Sequence, residues 1–289
     1  MKQKLFKSLL ILVMAFVSVV SISCAQKFSL EKNITVVSRE DGSGTKAAFM
    51  EIIGLKGKSD VSGCIKPSST PAVLNEVKSN PHAIGFESLG YVNENVKALK
   101  IDGVAPSVEN ILNGSYKISR PLSVVYKESS LDKEVNKAFY EFLQSSESQE
   151  IITKEGYVSL NQSATNYKVK LDLSGKIEIS GSTSLEPLMI KLVEKFESLQ
   201  TNVTVNVGGG GSGTGYKNAD NGVSDFGMIS EEFNQTKAPS CTSYVVAKDG
   251  IAVIVNKLNT IDTITLENLK NIYNSEAGDA QIKIWADVK

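Results

Sequence analysis

The 289-residue chain has one histidine, His82, one tryptophan and three cysteines. A histidine-based nucleophilic triad would have to use His82, and a zinc centre of several His and Cys ligands has almost no material to draw on. Charge of one sign is also missing: 31 Lys and Arg face 32 Asp and Glu, a net charge of −1. Nothing in that balance makes a broad basic surface, so nucleic acid is not expected as a partner. What remains is the mix of a folded soluble protein, 41% hydrophobic and 22% charged. The length suits one large domain or two ordinary ones.

The long apolar run lies at the start. Lys2, Lys4 and Lys7 precede Leu9–Val20, and small residues follow up to Cys24. A basic start, a short apolar core and small residues describe a secretory signal over residues 1–23. The run is too short to span a bilayer comfortably. Ser21-Ile22-Ser23-Cys24 resembles a bacterial lipoprotein box, although Ser21 stands where an aliphatic residue is common. Cleavage before a lipidated Cys24 would make residues 24–33 a tether; ordinary cleavage near Ala25 is the alternative. Without residues 1–23 the net charge is −4. Cys64 and Cys241 remain, in a compartment where a bridge is possible, and two free buried thiols fit equally well.

Strand and helix patterns alternate along the rest of the chain, which indicates an α/β fold. Strands are expected at 34–38, 83–86, 96–101, 120–126, 176–180, 203–207, 225–230 and 244–256. Helices are expected at 46–53, 70–79, 107–112, 131–143, 147–154, 185–199 and 265–273. Thr70-Pro71 and Thr265 mark helix starts, and Gly54, Asn80-Pro81 and Gly156 mark ends. Residues 161–175 are polar and read as a linker, after which the pattern restarts.

Three times a strand runs into a turn of Gly, Ser and Thr and a helix follows. The turns are Gly42-Ser43-Gly44-Thr45, Gly181-Ser182-Thr183-Ser184 and Gly211-Ser212-Gly213-Thr214. A helix start exposes unpaired N–H groups and a partial positive charge, and glycine lets backbone approach a ligand. Three converging turns would surround a small oxyanion with neutral donors, and Arg39 could add a full positive charge with forked donors. Each turn taken alone is more often a helix cap. The glycine run is no P-loop, because no Gly-Lys-Ser/Thr follows, and no Gly-x-Ser-x-Gly elbow occurs.

At these residues the chain resembles the phosphate-binding proteins of ABC phosphate importers. Ile177–Pro187 is similar to that family's opening strand and first binding turn, Gly208–Gly215 to the second, and Ser224–Ser230 to the third. Val37–Thr45 resembles its arginine-containing turn, and Ala247–Asn256 a core segment. The order differs: segments that open those proteins lie at 176–289, and those that close them at 34–160. This reads as a circular permutation, with 161–175 bridging the old ends; a junction of parts of two tandem genes is the alternative. Permutation predicts that Ile34 and Lys289 lie close together in one lobe.

The resemblance implies a two-lobed α/β fold of the periplasmic-binding-protein type II, with the ligand in a hinged cleft. One lobe would be continuous, residues 113–247, and the other split, residues 34–112 plus 248–289. Phosphate contacts would be Arg39, Ser43, Gly44 and Thr45 from the split lobe and Thr183, Ser184, Ser212 and Ser230 from the continuous one. Many family members carry Asp where Ser230 aligns, so Asp41 or Glu231 becomes the candidate proton acceptor, with weak acceptance by Ser230 as the alternative. The implied partners are inorganic phosphate, an ABC permease in the membrane, and the membrane itself through Cys24, with no nucleic acid, cofactor or metal. The implied protein is a monomeric, exported, non-enzymatic lipoprotein facing the periplasm or the outer face of the cell membrane. Alternatives are another tetrahedral oxyanion such as sulfate, or a non-transport sensor or adhesin.

Overall fold

The computed structural model describes residues 27–288. The expected signal at 1–23, Cys24 and Lys289 therefore lie outside the described residues. In chain order the strands are β1 (Thr35–Val36), β2 (Ala83–Ser88), β3 (Val96–Ala98), β4 (Lys100–Ile101), β5 (Ser119–Tyr126), β6 (Ser174–Gly181), β7 (Asn202–Gly210), β8 (Phe226–Ile229), β9 (Thr242–Asn256) and β10 (Thr263–Ile264). The helices are α1 (Gly44–Ile52), α2 (Thr70–Ser79), α3 (Val108–Leu112), α4 (Glu134–Leu143), α5 (Ser146–Lys154), α6 (Glu186–Leu199), α7 (Ser212–Asp220) and α8 (Leu266–Tyr273).

The main sheet runs β1-β2-β9-β5-β8-β6-β7, with β3 also on β9. Its centre is β9, whose 15 residues span about 50 Å at roughly 3.3 Å each. Thr242–Gly250 pairs antiparallel with β5, and Ile251–Val255 pairs antiparallel with β2. One strand therefore belongs to both halves of the molecule.

The apolar cores divide at the point where β9 changes partners. One core draws only on residues between Leu122 and Ala247, with Phe139, Phe142, Phe196 and Phe226 at its centre. The amphipathic pattern of α6 feeds it through Leu188, Met189, Leu192, Val193 and Phe196. A second core is built from residues up to Ile118 and from Ile251 onward, with Val158 as its single buried contribution from between. There Phe49 of α1 stacks on Phe86 of β2 at 3.9 Å, and the Tyr273 ring meets both edge-on. These are the two lobes.

Between the cores the crossing strands carry polar side chains. Arg120 of β5 sits directly opposite Asp249 of β9. Its guanidinium donates to Asp249 Oδ2 from Nε (3.3 Å) and Nη2 (3.1 Å), and Nη1 donates to the Ser230 carbonyl at 3.0 Å. Both side chains are 1% exposed. Burial pushes the Asp249 carboxyl above its ordinary range, with Arg120 opposing that push.

Local expectations differ from the fold at a few places. The helix expected at 131–143 starts at Glu134, because Lys133 is extended and the preceding turn is 3₁₀. The strand expected at 96–101 is two short strands: β3 pairs with β9 and β4 pairs with β10. Residues 161–173 form no regular element, yet Tyr167 and Leu173 are buried in the first core. Of the expected tether, residues 28–33 pack onto the split lobe. Phe28 stacks on His82 at 5.7 Å, Ser29 N donates to His82 Nε2 at 3.1 Å, and Asn33 forms a β-bridge with Ile284. Ile34 N donates to the Lys283 carbonyl (2.7 Å), so the two ends of the described chain run side by side in that lobe. Cys64 and Cys241 are free thiols.

Replacing Asp249 with Ala strands a buried guanidinium, and the expected loss is about 3–5 kcal/mol in urea unfolding. An Arg120→Met, Asp249→Leu double variant is expected to lose clearly less. Equal losses would show that the cost does not come from the stranded charge.

Candidate functional site

Five chain segments meet where the lobes face each other. From the split lobe come the loop from β1 into α1 and the start of α2. From the continuous lobe come the turns into α6 and α7 and the residue after β8. Four helix starts thus converge, each with N–H groups that have no partner within the helix.

The side chains at the meeting point are hydroxyls. Thr45 Oγ1 lies 2.8 Å from Ser184 Oγ across the cleft. Thr70 Oγ1 lies 3.2 Å from Ser184 Oγ and 3.5 Å from Thr183 Oγ1. Ser212 Oγ accepts from the Ser230 amide (3.0 Å) and lies 3.3 Å from Ser230 Oγ. Gly44 faces this second pair: a Cβ there would collide with Ser212 Oγ and come within 2.9 Å of Ser230 Oγ. Backbone joins the lobes as well, since Gly213 N donates to the Gly42 carbonyl at 3.0 Å. Tyr91 reaches across from the split lobe, its hydroxyl donating to the Thr183 carbonyl at 2.8 Å.

Arg39 is 1% exposed beside these hydroxyls. Nε donates to the Pro67 carbonyl (3.2 Å), and Nη2 to the Ser68 carbonyl (3.3 Å) and Thr183 Oγ1 (3.4 Å). Nη1 faces Glu87 Oε1 at 3.5 Å. The backbone carbonyls orient the guanidinium without cancelling its charge.

All eight residues expected from the sequence, Arg39, Ser43, Gly44, Thr45, Thr183, Ser184, Ser212 and Ser230, gather in this buried cluster. Ser43 does so as the cap of α1, accepting from Lys46 N at 3.3 Å. The expected proton acceptors sit differently. The Asp41 side chain is 92% exposed and paired with Lys46 at 2.8 Å, which holds its carboxyl below the usual range. Glu231 is held by Lys237 at 2.7 Å. Both line a hollow of about 720 Å³ at the cleft rim, together with Lys46, Lys66, Glu232 and Phe233.

Two residues of the cluster were not foreseen. Thr70, read from sequence as a helix cap, is the first helical residue; Ser69 holds the cap position and Thr70 turns its hydroxyl into the cleft. The run Ser68-Ser69-Thr70 before Pro71 carries the same hydroxyl signal as the three glycine turns, without the glycine. Glu87 is wholly buried in β2. A carboxylate inside an apolar strand is a signal in itself, but its neighbour Arg39 is 48 residues away in sequence.

Comparison with known proteins follows the same lines. The family model described as "PBP superfamily domain" matches residues 25–147 and 162–288. A phosphate-binding protein PstS 2 of Streptococcus agalactiae is 37% identical over 269 residues, 90% of this chain and 89% of its own. A phosphate-binding protein PstS 2 of Streptococcus pneumoniae is 34% identical over 274 residues, covering 92% and 91%. The crystal structure of a phosphate ABC transporter phosphate-binding protein from Streptococcus pneumoniae superposes with a TM-score of 0.69 at 33% identity. It covers 89% of this chain and 100% of that one.

Gly44→Ala places a methyl group between the lobes. Overpacking of this kind costs about 1–3 kcal/mol, and here opening the cleft relieves it. Small-angle scattering is expected to give a larger radius of gyration than the parent; an unchanged radius would show that the serines yield instead.

Proposed function

The chain belongs to the PBP superfamily, in the family of the phosphate-binding proteins PstS, and on that premise we propose that it captures inorganic phosphate outside the cytoplasm and delivers it to the membrane permease of an ABC importer. The observation that carries this reading is the cluster of hydroxyls from both lobes around one buried arginine. Arg39 supplies the full positive charge, its Nη2 already reaching Thr183 Oγ1 of the opposite lobe. Thr45, Thr70, Thr183, Ser184, Ser212 and Ser230 supply hydroxyl donors, and the starts of α1, α6 and α7 supply N–H groups around Ser43 and Gly44. Neutral donors fixed in place stabilise a compact anion without requiring a positive surface. Because contacts come from both lobes, the anion favours the closed arrangement by whatever affinity the open one lacks.

The protein in this reading is a binding protein and not an enzyme, which the phosphate-binding relatives support. It acts as a monomer, held to the membrane through a lipid on Cys24. The segment order is that of a circular permutant. In support, the ends of the described chain lie side by side in one lobe.

Arg39→Ala is expected to weaken phosphate binding by about 3 kcal/mol, roughly 100-fold, in titration calorimetry. Unchanged affinity would remove Arg39 from the site. Sulfate is expected to bind much more weakly than phosphate, and equal affinity would overturn the phosphate assignment in favour of oxyanions generally. The permutation is checked by opening the chain within 161–173 and joining the present ends through a short linker. The rearranged protein is expected to fold and to bind phosphate as the parent does; a protein that fails to fold counts against it.

A further inference from the structure

Glu87 takes no part in the contacts assigned above, yet it is the buried carboxylate nearest to them. It is wholly buried on β2, Oε1 lies 3.5 Å from Arg39 Nη1, and Oε2 has no hydrogen-bond partner. A carboxylate in that state is held by one cation that it must share.

The surrounding charges are few. From the loop before α1 comes Arg39; its outer edge also meets Glu40, 4.0 Å away and 37% exposed. From β5 comes Arg120, whose charge is already matched by Asp249. From α2 comes the Thr70 hydroxyl, and from the strand itself the Ser88 amide. Tyr91, on the turn after β2, is the remaining titratable neighbour, and burial keeps it neutral; Glu186 of α6 and Tyr157 act on Tyr91 from its other side. Arg39 is thus the one cation available to Glu87, and it is the cation assigned to the anion.

We propose that capture of a divalent oxyanion is coupled to uptake of one proton by Glu87. The inference rests on the phosphate reading. A bound dianion draws the field of Arg39 to itself and sets two negative charges beside a buried third. The relief available is neutralisation of Glu87: a proton from solvent bonds to Oε2, and no other bond is made or broken. Burial already pushes the Glu87 carboxyl up to about 6, against the pull of Arg39. An added anion moves it further in the same direction. A group whose affinity for protons rises on binding makes affinity rise as pH falls and fall as pH rises, between its free and bound values.

The test is titration of the full exported protein with inorganic phosphate at pH 7, in buffers of different ionisation enthalpy, to count protons taken up. Phosphate's own titration is the same for parent and Glu87→Gln, so the difference isolates the residue. The parent is expected to take up more than the variant, approaching about one extra proton per anion. Its affinity is also expected to fall more steeply between pH 6 and pH 8. Equal proton counts with phosphate bound in both proteins overturn the coupling alone. Absence of phosphate binding in the parent overturns the functional reading and the coupling with it. Infrared difference spectra of the parent keep the test independent of the variant's folding. Phosphate is expected to bring up a protonated carboxyl band, and its absence overturns the proposal.

Discussion

The pairing of Arg120 with Asp249 is the constraint on which the rest of the structure depends. Two strands cross from one apolar core to the other, and at the crossing neither core is available to bury side chains. An ion pair placed face to face across the ladder fills that gap, and its cost of desolvation is offset only by close geometry on both partners. The third donor of Arg120 goes to the Ser230 carbonyl, which ties the end of β8 to the crossing. A group in the cleft is thereby indexed to the point about which the lobes meet.

The cleft works with an economy of charge. The chain has nearly equal numbers of acidic and basic residues, so its overall field gives little attraction to an anion. The rim of the cleft follows suit, its lysines largely matched by neighbouring carboxylates. In the proposed reading attraction is local, from hydroxyls, helix starts and one guanidinium oriented by backbone carbonyls. Such donors act strongly where water is excluded and are weakly screened by salt. Tight steric approach is part of this arrangement, since Gly44 brings backbone of one lobe against two serines of the other.

Much of this was legible in the sequence because the signals are short-range. The turns at 42–45, 181–184 and 211–214 announce themselves by glycine next to hydroxyls. The Thr265 cap is confirmed by its bond from Asn268 N at 3.0 Å, and the apolar stripe of α6 faces the core as its spacing requires. What was not legible depends on distance along the chain. Nothing local distinguishes Thr70 the cap from Thr70 the cleft hydroxyl; one residue of offset in the helix start decides it. Asp41 stands two residues from Arg39 in sequence, yet a turn sends it to Lys46 and solvent, while Glu87 arrives from another strand. The polar stretch at 161–175 reads as a linker from its composition, whereas two buried side chains, Tyr167 and Leu173, pin it to the core.

The side-by-side ends have a mechanical consequence. A pull applied at both ends of the described chain would act across a few hydrogen bonds in one lobe: Ile34 on Lys283, Ala286 on Leu30, and the bridge between Asn33 and Ile284. The crossing strands and the other lobe lie off that line of force. A tug on the chain would unzip its own fastening first, while the cleft stayed slack.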